Sequence, residues 1–277
     1  MKTLLITATL FSIFQISSAQ NIEGKATYLS KLKMEDQIDL DQQNIPEGLK
    51  GLISEAIKGE TQKEYTLVFN STESLFKETD KVDNKISKNS GMSIQTTVLD
   101  TDKAGGEHLY KDLKNGIYTE QAESFDKTFL INDSIPKINW VLTKDTKNIG
   151  QYKCNKAYYI NEYMAPKSPT NLTELVTKID TVVAWYSPQI PVSNGPKLLS
   201  GLPGFILEFS DSQEIFQCSE IVLNPKEEVC ITKPTKGKQI SAKAFKVLMD
   251  KKQKEQMEQL NGLLDGSGNN FQIIIKE

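Results

Sequence analysis

The feature that most limits what this chain can fold into is a long succession of short β-type segments, divided by turn signals and interrupted by two helical patterns. Ile22 to Lys33 alternates as a first strand, and Glu64 to Asn70 and Glu73 to Thr79 follow with a brief break between them. Glu107 to Lys111 and Gly116 to Glu120 lie on either side of Asn115-Gly116, a strong hairpin signal. Further strands are expected at Lys127 to Ile131, Lys137 to Thr143, Gly150 to Asn161, Lys178 to Ser187, Gly204 to Ser210, Glu214 to Leu223 and Val229 to Lys233. Phe271 to Lys276, with its triple isoleucine, reads as a closing strand. Roughly ten strands joined mostly by short turns are too many to lie flat. They predict a mainly β (α+β) chain, with one large curved antiparallel sheet in the form of an open or half barrel.

Two helices are expected to cover that sheet, near 46–58 and 241–261. Pro46 opens the first, where Leu49, Leu52, Ile53, Ala56 and Ile57 form one apolar stripe before Gly59. Ser241 caps the second, whose apolar face is Ala244, Phe245, Leu248 and Met249, with Asp250 to Gln256 entirely polar. No internal repeat and no Gly/Pro/Ser-rich linker divides residues 20–277, so a single domain is expected.

At the N-terminus, Lys2 precedes an apolar stretch from Leu4 to Ile16, and Ser17-Ser18-Ala19 supplies small residues. That is the layout of a signal peptide over residues 1–19, cleaved between Ala19 and Gln20. The stretch is too short for a spanning helix, which needs roughly 20 apolar residues. Export to the periplasm or beyond is therefore expected, with no membrane span. An oxidising compartment permits disulfides. Cys218 and Cys230 flank a segment with Asn224-Pro225 near its midpoint, so they are either a bridge across two paired strands or two free thiols. Cys154 is then a small core residue.

Composition removes several kinds of chemistry. All 33 basic residues are lysine, balanced by 36 acidic ones for a net charge of −3, which points away from nucleic acid as a partner. Without arginine there is no planar fork to grip phosphates or carboxylates. The lone histidine, His108, follows Gly105-Gly106, and no G-x-S-x-G element accompanies it, so triad hydrolysis lacks its parts. Glu35, Asp36, Asp39, Asp41, Asp80 and Asp83 are the candidates for a carboxylate pair, though polar segments surround them. Asp100-Thr101-Asp102 fails as a calcium loop, because Lys111 stands where a bidentate glutamate is needed. No nucleotide fingerprint is present. No metal, cofactor or catalytic residue is assigned.

Six of the ten prolines fall between Pro166 and Pro203. The densest stretch runs Trp185-Tyr186-Ser187-Pro188-Gln189-Ile190-Pro191, then Asn194-Gly195-Pro196, then Gly201-Leu202-Pro203-Gly204-Phe205-Ile206. Here the sequence resembles the GLPGLI family of secreted proteins from Gram-negative bacteria, departing from the family hexapeptide by Phe at 205. Phe129 to Asp133, Trp140, Lys144 to Lys147 and Gly150 to Ala157 are similar to its other recurrent blocks. The resemblance implies export and a single domain, and it carries over no catalytic residue, because the family has no established activity.

Physically, Leu202-Pro203-Gly204-Phe205 fits a type II turn and Asn194-Gly195-Pro196 a second rigid turn. Val183 and Trp185 share one strand face, with Val182, Ala184 and Tyr186 on the other. The block is either a folding corner or the rim of a binding site. The expected function is an exported, non-enzymatic binding or accessory protein of the cell envelope, holding an apolar ligand or a protein partner in its curved sheet. The alternative is a carboxylate-dependent hydrolase of envelope polymer.

Overall fold

The computed structural model describes residues 22–33, 62–79, 108–168, 171–252 and 255. Its strands are β1 (Gly24–Leu32), β2 (Gln62–Phe69), β3 (Glu73–Glu78), β4 (His108–Asp112), β5 (Ile117–Ser124) and β6 (Lys127–Ser134), followed by β7 (Val141–Ile149), β8 (Tyr152–Ser168), β9 (Asn171–Ser187), β10 (Phe205–Ser210), β11 (Glu214–Leu223) and β12 (Lys238–Ile240). All belong to one twelve-stranded sheet, ordered β12-β6-β5-β4-β3-β2-β1-β11-β10-β9-β8-β7. Every pairing is antiparallel except β12 on β6. The architecture is therefore a large open antiparallel sheet that is not closed into a barrel.

Its curvature follows from one short connection. Strands β6 and β7 stand ten places apart in the sheet, about 48 Å if it were flat. Only residues 135–140 join them, a span of at most about 25 Å. The sheet must curl until these distant strands approach, and the curl creates an inner face. In β1 the alternation Ala26, Tyr28 and Ser30 buried against Lys25, Leu29 and Lys31 exposed shows which residues line it.

Aromatic rings fill the enclosed space. Tyr65 stacks on Phe76 at 5.0 Å, Phe209 stacks on Phe216 at 4.9 Å, and Phe69 meets Phe205 at 4.4 Å. Phe69–Phe205, with Tyr65 and Phe76 lying 5.1 and 6.2 Å from the Phe216 ring, joins β2 and β3 to β10 and β11, so the core is made by residues far apart in sequence.

One helix, α1 (residues 242–252), follows β12. Ser241 caps it, its hydroxyl accepting from the Ala244 amide at 3.2 Å, and Phe245 packs edge-on against Phe129. Of the expected face, Phe245, Leu248 and Met249 are half-buried, whereas Ala244 is exposed and Ala242 packs against the core in its place. The rest of the 241–261 helix, the 46–58 helix, the closing strand at 271–276 and the signal segment with Ala19 and Gln20 lie outside the described residues.

Two expectations about strands are corrected. Residues 137–140 belong to the connection, and β7 starts at Val141. Val229 to Lys233 forms no strand: β11 is hydrogen-bonded along its length to β1 and at its start to β10. Residues 224–237 cross the sheet instead, with Lys233 Nζ 5.8 Å from the Tyr110 ring, before β12 joins β6. Consequently Cys218 and Cys230 do not face each other and both are free thiols, as is Cys154. The Cys218 thiol contacts Glu220 O and the Cys230 thiol contacts Thr232 Oγ1.

Candidate functional site

The proline-dense block, residues 187–206, is a chain of tight turns folded back onto the end of β9. Pro188 occupies the first central position of a turn closed by Ile190 N–H on Ser187 O at 3.3 Å. Three three-residue turns follow, with Val192 N–H on Ile190 O, Asn194 N–H on Val192 O, and Gly204 N–H on Leu202 O, each at 2.8 Å. Pro191 and Pro203 centre two of them, their ring-fixed φ lying close to the inverse γ value.

The type II turn expected at 202–205 is therefore replaced by a γ-turn. The reason is long-range: the Phe205 amide that would close a type II turn donates to Ile190 O at 3.1 Å. Gly204 is required on two counts. Its φ is +155°, and a Cβ would lie 2.3 Å from Ser187 O. Gly195 is required by packing, since a Cβ there would lie 2.8 Å from Ile206 Cβ.

The apolar residues of the block point inward: Ile190, Val192, Pro196, Leu199 and Leu202 are all buried. Pro188, Pro191, Gly201 and Pro203 form its exposed rim. Three side chains from outside the block hold it down, each donating to a backbone carbonyl. The Tyr28 hydroxyl of β1 donates to Ile206 O at 2.5 Å. Lys111 Nζ of β4 donates to Gly195 O at 2.7 Å and Leu199 O at 3.3 Å. Trp140 Nε1–H donates to Ser200 O at 2.8 Å.

Burial raises the Tyr28 phenol well above its usual range, with a further contribution from Cys218. Burial alone brings the Lys111 amine down to about 7. The Cys154 thiol is pushed up to about 11, again mainly by burial, as befits a core residue.

Lys111 has no sequence motif to announce it. The available signal was positional, since it shares the inner face of β4 with the fully buried Leu109. Across the sheet from it, Ser74 is also fully buried, and its hydroxyl has no hydrogen-bond partner. His108 lies on the opposite face of β4 from Lys111, so the two are not brought together.

The block's two aromatic residues divide between faces as expected. Tyr186 is buried in the core with Val182 and Ala184, whereas Trp185 is half-buried on the outer face. Lys147 Nζ lies 4.5 Å from the Trp185 ring and bonds Glu208 at 2.6 Å, while Lys156 Nζ lies 6.0 Å from the ring and bonds Asp145 at 3.3 Å. Nearby on the same hairpin system, Val141, Leu142, Ile160 and Ile179 are exposed by 48, 55, 52 and 69%. Val141, Ile160 and Ile179 share the outer face with Trp185 by register.

Among the described residues, no group of three His, Cys, Asp or Glu side chains is placed to hold a metal ion. Glu35, Asp36, Asp39, Asp41, Asp80, Asp83, Asp100 and Asp102 lie outside the described residues.

Residues 140–208 match the model of a family described as "Protein of unknown function (Porph_ging)". The matched segment runs from Trp140 through β7, β8, β9 and the turn block to Glu208, and it excludes Tyr28 and Lys111. Among curated proteins none matches. Two solved structures of PNGF-II, in space groups C2 and P21, are similar at 16% and 15% identity with TM-scores of 0.47 and 0.46. The alignments cover 84% and 83% of this chain, which spans about a third of the length of those structures, 33% in each case.

Proposed function

We propose that the protein is a non-enzymatic binding or accessory protein of the bacterial cell envelope, whose contact surface is the outer face of β7, β8 and β9. The observation that carries this reading is the set of exposed apolar side chains, Val141, Ile160 and Ile179, on the same sheet face as the lysine-flanked Trp185. Apolar groups of this size left in water on one face are characteristic of surfaces that meet another molecule. They fall inside the segment that matches the family of unknown function.

The inner face favours contact from outside over the interior carriage of a ligand, because its space is taken up by stacked rings. The N-terminal signal pattern and the resemblance of Gly201 to Ile206 to the GLPGLI hexapeptide support export and membership of that family. The acids that a carboxylate-dependent hydrolase would draw on, Glu35, Asp36, Asp39, Asp41, Asp80 and Asp83, lie outside the described residues, so no observation favours that alternative.

The test is native mass spectrometry of the protein isolated from its own envelope, with Ile160→Asp/Ile179→Asp compared with wild type. A protein or lipid held by the wild type and lost from the double variant is the expected result. Wild type that carries nothing, or a companion retained by both, would refute the assignment of this surface.

A further inference from the structure

Two anomalies meet at the Asn194-Gly195 step of the turn block. The Lys111 amine is wholly buried with only two carbonyl oxygens, Gly195 O and Leu199 O, as acceptors and no carboxylate in contact among the described residues. Asn194, the residue before the first of these acceptors, is also fully buried. Its Oδ1 accepts from Gly195 N–H at 2.9 Å, whereas its Nδ2 has no hydrogen-bond partner. A buried ammonium without a counter-ion and a buried amide nitrogen without an acceptor are each costly. A single condensation removes both.

We propose that Lys111 and Asn194 join in an intramolecular isopeptide bond. The Nζ lone pair attacks Asn194 Cγ, the Nζ–Cγ bond forms, the Cγ–Nδ2 bond breaks, and ammonia leaves with a proton taken from the amine. No electrons change hands and no co-reactant is needed.

The surroundings favour each part of the step. Burial holds the amine near pH 7, so a substantial fraction is the neutral nucleophile. The Gly195 N–H already donates to the oxygen on which negative charge develops. Ser74, the register partner of Lys111 on β3, puts a buried hydroxyl without a partner on the same face of the sheet, available to pass a proton to the departing nitrogen. The Asn194 backbone is fixed on both sides, its N–H on Val192 O and its carbonyl accepting from Ile206 N–H at 2.9 Å, so the carboxamide is anchored one residue from the carbonyl that the amine contacts at 2.7 Å. The product ties β4 covalently to the turn block and leaves neither a buried charge nor an orphan amide nitrogen.

Peptide mapping of the intact, purified wild-type chain decides the matter. The expected result is a branched tryptic species joining the peptides that contain Lys111 and Asn194, lighter than their sum by one ammonia, with cleavage after Lys111 lost. Linear peptides of sequence mass, cut after Lys111, would overturn the proposal. So would an ammonia deficit confined to a linear Asn194-Gly195 peptide, which is the signature of a succinimide. Asn194→Ala removes the attacked carbon and is expected to restore cleavage after Lys111. Because the wild-type peptides alone are decisive, the test survives a variant that fails to fold.

Discussion

Replacing Gly204 with alanine tests whether the turn block is held by steric necessity. At φ +155° an L-residue occupies a region that is essentially reserved for glycine, costing about 1–3 kcal/mol. The added Cβ would also sit 2.3 Å from Ser187 O, 2.6 Å from Ser187 C and 2.9 Å from Pro188 N, all backbone atoms that cannot rotate away. Forcing such an overlap apart costs a further ~1–3 kcal/mol. It also pulls on Phe205 and Ile206, both fully buried. The sum is about 4 kcal/mol, a large share of the ~5–15 kcal/mol typical of a folded domain.

The appropriate control is Gly150→Ala, where φ is +55° but nothing lies within 4 Å of the new methyl, so only the left-handed penalty of about 1–2 kcal/mol applies. In urea unfolding with a slope of about 2 kcal/mol per molar, Gly204→Ala should lower the midpoint by roughly 2 M and the control by less than about 1 M. Equal midpoints for the two variants would refute the idea that the close approach of residue 204 to Ser187 organises the corner.

Other expectations concern the anchors. Tyr28→Phe keeps the ring and removes the donor to Ile206 O, so unfolding experiments should show a loss of about 1–3 kcal/mol with an unchanged circular dichroism spectrum. Tyr118 is held up to about 12, chiefly by burial and then by Glu120 and Asp133. The folded state therefore keeps a proton that the unfolded chain releases near pH 10, and stability should fall as pH rises from 10 toward 12. In Tyr118→Phe that alkaline slope should be shallower, as read from urea midpoints across the range. The surface variant Ile160→Asp/Ile179→Asp should keep an unfolding free energy within about 0.5 kcal/mol of wild type in urea titrations, since neither side chain is packed in the core.

Much of the strand pattern was legible because alternation and turn residues are local signals. The expected β1, β2, β3, β4 and β11 match the observed strands to within a residue or two, and Asn115-Gly116 does close the β4–β5 hairpin, Gly116 with φ +67°. What was not legible depends on distance in space. The sequence Lys137-Ile138-Asn139-Trp140 has strand composition, yet it is consumed in bridging β6 to β7, and Trp140 turns to reach Ser200 O. The Cys218–Cys230 pairing assumed a hairpin, but β11 finds β1 as its neighbour from almost the far end of the chain. The buried role of Lys111 has no local signal, because lysine defaults to solvent. Only once the inner face of the sheet is known does its position beside Leu109 become informative.

The turn block also shows why its composition misled about its hydrogen bonding. Each outside anchor addresses a main-chain oxygen: Ile206 O, Gly195 O with Leu199 O, and Ser200 O. None of these bonds depends on which side chain the accepting residue carries. Within the block the steric demands on residue type are strongest at Gly195 and Gly204, where another part of the chain passes within 3 Å of the missing methyl, and polar demands fall on Gln189, which accepts from Lys153 N–H at 2.8 Å, and Ser193, which accepts from Gly201 N–H at 2.9 Å. The demands on donors fall on Tyr28, Lys111 and Trp140, of which only Trp140 belongs to the segment matched by the family model. A Leu-sized or Phe-sized side chain at 205 can satisfy the same corner provided its partner adjusts, and here that partner is Phe69, with ring centroids 4.4 Å apart. Residues 140–208 consequently cannot be the whole folding unit: lifted out of the chain, the corner would lose two of its three anchors and the rings of β2 and β11 that pack against it.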